Sequence, residues 1–96
     1  MVDMSQLDPL ESALLDYVTS DKEPTWIMLH EIPETGGDRA RTEVALRKLE
    51  AQGLLTCTQE ESGNPDLDYL SAVDDWWALT AAGWEVVGET PPLNYP

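Results

Sequence analysis

The chain has 96 residues, 19 of them Asp or Glu against 5 Lys or Arg, for a net charge of −14 at pH 7. That length suits one small domain with little core to spare, which dimerisation would supplement. The longest apolar run falls far short of the roughly 20 residues of a membrane helix, no basic-then-apolar leader opens the chain, and the lone Cys57 excludes an internal disulfide or a multi-cysteine metal site.

The expectation is a cytoplasmic protein with no membrane partner, no metal and no cofactor. Its charge is uneven. Every Lys and Arg lies between Lys22 and Lys48, and nine acids follow Lys48 without a cation. Such a field repels phosphate and attracts basic protein surfaces. Two origins fit this acidity: solvation in concentrated salt, where repulsion is screened to a few ångströms, or an acidic protein at ordinary ionic strength.

Residues 1–7 read as an N-terminal arm. Asp8 is placed to cap a first helix, with Pro9 at its first position and Glu11 at its third. Leu10, Ala13, Leu14, Tyr17 and Val18 recur at helical spacing, and the helix stops near Ser20. A polar connection through Pro24 follows. A second helix then runs from a Thr25 cap to Glu31 or Ile32, with Trp26 and Leu29 inward. His30 has no metal-spaced partner. Gly36 and Gly37 form a turn, and Asp38 caps a third helix over residues 39–52 that Gly53 ends. Leu46 and Leu49 are its core positions, with Thr42 and Ala45 on the same side.

Residues 54–59 alternate as a half-buried strand, Leu55 and Cys57 inward and Thr56 and Thr58 outward. Residues 60–68 hold turn formers, and a return strand includes at least 76–79. Trp76 and Trp77 are consecutive, so in a strand they take opposite faces. Thr80 caps a short last helix containing Trp84, and residues 89–96 read as a flexible tail.

The run Leu46-Arg47-Lys48-Leu49-Glu50-Ala51-Gln52-Gly53-Leu54-Leu55, followed by Trp77-Ala78-Leu79-Thr80-Ala81-Ala82-Gly83, resembles the winged helix-turn-helix family of small DNA-binding domains. The resemblance covers residues 8–88. It implies an α+β fold, with a three-helix core, a two- or three-stranded wing hairpin and a short C-terminal helix. It also implies a transcription regulator that binds duplex DNA, as a homodimer, through the start of helix three. By position, Arg39, Arg41, Thr42 and Glu43 would enter the groove, while Arg47 and Lys48 would reach phosphate.

The wing departs from that pattern. Residues 60–75 carry Glu60, Glu61, Asp66, Asp68, Asp74 and Asp75 and no cation, so this hairpin gains nothing from counterion release on DNA. The alternative is a winged helix reused for protein binding, whose wing docks a basic protein surface or mimics DNA charge. Its contacts would be Glu60, Glu61, Asp66, Asp68, Trp76 and Trp77. No paired nucleophile and base or glycine-rich phosphate loop points to an enzyme.

Overall fold

The computed structural model describes residues 4–62 and 73–95. Three helices pack beside a three-stranded antiparallel sheet, and a fourth short helix closes the fold, a winged-helix-like α+β architecture. The order is α1 (Pro9–Tyr17), β1 (Glu23–Pro24), α2 (Thr25–Glu31), α3 (Arg39–Ala51), β2 (Leu55–Glu61), β3 (Val73–Leu79) and α4 (Ala81–Val87).

Local chemistry sets most of the boundaries. Asp8 Oδ1 accepts from the Glu11 amide at 2.8 Å, and Glu11 Oε1 accepts from the Asp8 amide at 3.1 Å, a complete capping box. The helix ends at Tyr17, short of Ser20. Asp38 caps α3 through the Arg41 amide, and Gly53 leaves it at φ +77°, a left-handed turn that glycine adopts without strain. Thr80 caps α4 by accepting from the Gly83 amide at 3.0 Å, and its hydroxyl donates to the Gly53 carbonyl. Gly83 itself lies so close to the Leu54 carbonyl oxygen that a methyl group would overlap it. The last helix therefore docks only because that position has no side chain.

The core joins Leu10, Leu14 and Leu15 of α1 to Met28, to Leu46 and Leu49 of α3, and to Leu55, Trp77 and Leu79 of the sheet. Fully burying a side chain of this size contributes roughly 1.5–3 kcal/mol. The sheet order is β1-β3-β2, with Cys57 opposite Trp77, Thr58 opposite Trp76 and Glu60 opposite Asp74. Leu55 is buried and Thr56 and Thr58 are exposed, as their alternation requires.

Several elements differ from the sequence reading. The polar connection before α2 contains β1, which pairs Glu23 with Trp77 and Pro24 with Trp76. Thr25 does not cap α2: Pro24 holds the cap position, and proline offers no side-chain acceptor. The Thr25 hydroxyl is turned to the sheet instead, donating to the Asp75 carbonyl at 3.0 Å and accepting from Trp77 Nε1 at 2.9 Å. The cap comes from β3, where Asp74 Oδ2 accepts from the Trp26 amide at 2.9 Å. Within the segment read as an arm, Met4–Gln6 form a 3-10 turn and Leu7 packs against the core. Within the segment read as a tail, the Tyr95 hydroxyl accepts from the Leu79 amide and donates to the Val18 carbonyl, both at 2.7 Å. Its ring meets Trp84 edge-on at 5.0 Å between centroids.

Candidate interaction surfaces

Two surfaces hold the residues singled out by the sequence: the exposed side of α3 and the outer face of the sheet.

Two of the four cations of α3, Arg39 and Arg47, are drawn toward β3. Arg39 donates through Nη2 to Asp74 Oδ1 at 2.6 Å and through Nε to Glu43 Oε1 at 3.0 Å. Asp74 is 4% exposed in its side chain, and its second oxygen caps α2. A charged, buried acceptor of this kind holds its donor far more firmly than a surface partner does. Burial works against the Arg39 charge, but Asp74 and then Glu43 outweigh it and raise the guanidinium pKa.

Arg47 reaches Asp75 at 3.1 Å and Glu50 at 3.0 Å, with its guanidinium carbon 5.0 Å from the Trp77 ring centre. Lys48 pairs at 3.1 Å with Glu11, whose side chain is buried. Arg41 donates weakly to the Thr35 carbonyl at 3.4 Å and, among the described residues, is the one cation without a carboxylate partner. Thr42 is fully buried, so it offers no contact to a groove. Of its two expected places, the core side of α3 and the groove, it takes the core side. Glu43 is engaged with Arg39. Ala40 and Val44 are exposed on the same helix.

Beside these residues a groove of about 540 Å³ runs between the start of α1 and α3. Its charge is mixed, since Arg41 and Lys48 line it together with Asp8, Glu11 and Glu34.

The outer sheet face is built differently. Trp77 is fully buried and is no contact residue, because the β2–β3 register turns it to the core with Leu55 and Leu79. Trp76 therefore takes the outer side, half-buried, with its Nε1 donating to the Glu61 carbonyl at 3.0 Å. The Lys22 ammonium sits 5.6 Å from the Trp76 ring centre and 2.7 Å from each Glu60 carboxylate oxygen. Lys22 first, then the Thr58 hydroxyl, holds the Glu60 carboxyl below its ordinary pKa of 4.5. Thr56, Thr58, Glu60, Trp76, Ala78 and Lys22 enclose a recess of about 140 Å³. Glu61 and Val73 are exposed at the far end of the hairpin. Asp66 and Asp68 lie outside the described residues.

The sequence marks Asp74 and Asp75 as hairpin acids able to neutralise α3, but not as the specific partners of Arg39 and Arg47, and it does not mark Lys22 as a member of the outer face. The only signal was the charge sign: four cations on one helix and paired acids before Trp76 invite pairing, but not a register.

Burial and then Asp75 push the Cys57 thiol up from its usual range, away from the reactive thiolate. Among the described residues no three His, Cys, Asp and Glu side chains are grouped to hold a metal ion, and no helix is long and apolar enough to cross a membrane. No protein-family model matches the chain, and no curated protein matches it.

Proposed function

We propose that this winged-helix-like domain is a non-enzymatic docking module whose acidic hairpin and outer sheet face bind a basic protein surface. The observation that carries this reading is the engagement of Arg39 and Arg47 by Asp74 and Asp75. A duplex would meet those two guanidiniums with Glu43, Glu50, Asp74 and Asp75 already beside them. Pulling Arg39 toward a phosphate would leave a buried carboxylate short of its cation, a loss that counterion release must first offset.

On the other face, Trp76 is partly open and flanked by Glu60 and Glu61. A large ring beside fixed charge is the composition of a binding anchor, and an acidic rim speeds encounter with a basic partner.

The test compares wild type with a variant carrying Glu60→Gln, Glu61→Gln, Asp66→Asn and Asp68→Asn. Wild type should recover basic protein partners that the variant loses, and recovery should fall with salt. Equal recovery of the same partners by both forms would end the reading.

A second reading, a dimeric regulator of duplex DNA, draws on one specific observation. Arg41 stands without a carboxylate partner in the first turn of α3, near the exposed Ala40 and Val44, which could meet thymine methyl groups. Salt-sensitive binding to duplex fragments at low-micromolar protein would establish that reading in place of ours.

A further inference from the structure

The strand β2 is an edge. It lies outermost in the order β1-β3-β2 and runs seven residues, Leu55–Glu61, paired along its whole length to β3 on one side. Among the described residues, no backbone hydrogen bond joins Leu55–Glu61 to anything but β3. An edge of this length is a template for another strand unless it is blunted by proline, lysine, a bulge or a covering element. This one, Leu-Thr-Cys-Thr-Gln-Glu-Glu, has no proline and no cation. Among the described residues its guards are the glutamates Glu60 and Glu61, and a guard of one sign is selective. It repels a second copy of an acidic chain with net charge −14 and admits a basic strand.

The recess of the outer face is lined by three residues of this edge strand, Thr56, Thr58 and Glu60. An added strand would lie about 4.8 Å beyond β2, and its alternate side chains would lie over the outer face with Thr56, Thr58 and Glu60. A lysine or arginine is long enough to cross β2 and enter the recess, where the Thr56 and Thr58 hydroxyls, the Glu60 carboxylate and the Trp76 ring are the partners a cation takes. Lys22 already holds that cation position, over Trp76 and on Glu60. Its side chain is 32% exposed, so it is a replaceable occupant rather than a buried one.

From this geometry we infer that the β2 edge receives an extended basic segment by strand addition, with one Lys or Arg side chain of the partner taking the Trp76–Glu60 recess in place of Lys22. The inference rests on the docking reading above and names its partner: an extended chain with alternating basic residues.

Two synthetic peptides as long as β2 test it. One alternates arginine and valine. The other has the same sequence with every second backbone amide N-methylated, which preserves charge and side chains but removes the donors a ladder needs. The readouts are Trp fluorescence and amide hydrogen exchange across Leu55–Glu61.

The unmodified peptide should bind, shift the Trp76 emission and slow exchange at alternate β2 amides, while the methylated peptide should bind at least roughly tenfold more weakly, since ladder hydrogen bonds supply the affinity in this mode. Lys22→Met, which keeps an aliphatic stem over Trp76 but frees the cation position, should bind the unmodified peptide roughly threefold or more tighter. Circular dichroism of that variant checks that it folds.

Equal binding of the two peptides would overturn strand addition while leaving a basic partner in place. Failure of both to bind at low salt would sink the inference and the docking reading together. Weaker binding by Lys22→Met would overturn the exchange of cations at the recess. Self-association that protects β2 without peptide would overturn the choice of partner.

Discussion

Among the described residues three ion pairs join β-hairpin acids to cations elsewhere in the chain, and two of them are opposites in kind. Arg39–Asp74 is short, at 2.6 Å, and its acid is buried, with two backbone amides depending on it, one of them at the start of α2. Lys22–Glu60 is equally short, at 2.7 Å, but its side chains are 32% and 40% exposed, and beyond each other they touch a hydroxyl and a ring face. Length alone does not separate the two. What separates them is how many other groups lose a partner when the pair opens. The first belongs to the architecture, and the second is a surface contact that another charge can replace.

The sharpest way to break that contrast is Asp74→Ala. It uncaps α2 and frees Arg39 together, and should cost about 3 kcal/mol or more in denaturant unfolding. A loss below about 1 kcal/mol would mean that Asp74 is no more structural than a surface acid. Arg39→Ala should cost less, about 1–2 kcal/mol, because the Trp26 and Asp75 amides still satisfy the remaining carboxylate. Lys22→Met should leave the thermal midpoint nearly unchanged, since an exposed pair contributes little.

Titration gives the finest resolution. Glu60 has its folded pKa below its ordinary value of 4.5, so the stabilisation from its pair is complete above that value and is lost as pH falls through the lower folded one. A side-chain carboxyl titration of Glu60 by NMR should therefore be displaced to lower pH in wild type and return toward 4.5 in Lys22→Met. An unchanged titration would mean that the pair is not formed in solution.

The same contrast marks what the sequence could disclose. The capping box of Asp8 and Glu11, the Asp38 cap, the Gly53 exit and the Thr80 cap were all legible, because each partner lies within one helical turn. The opposite orientation of Trp76 and Trp77 was legible from strand periodicity, but which one enters the core depends on the pairing of Cys57 with Trp77. Asp74 was illegible as the cap of α2. Its partner is 48 residues away, and only the short β1, itself unmarked by any apolar alternation, brings the two together. Thr25 carried the local signature of a cap and spends its hydroxyl on the sheet, a case of tertiary pairing overriding local preference. The candidate site suffered most, because a cation's availability depends on which acid is near it in space, and composition says nothing of that.

The phenol of Tyr95 binds the last strand and the exit of the first helix with one oxygen. Burial lifts its pKa above 10.0 against the opposing pull of the Leu79 amide, and Asp21 adds to the rise. Neutral phenol is thus the form this latch requires. Its contribution is whole below the ordinary tyrosine value and fades as alkali carries pH through the higher folded one. Tyr95→Phe should open the Leu79 amide to solvent deuterium even at neutral pH, for about 1 kcal/mol of lost stability. A single phenol would then set how readily the end of β3 opens, 16 residues before it in sequence.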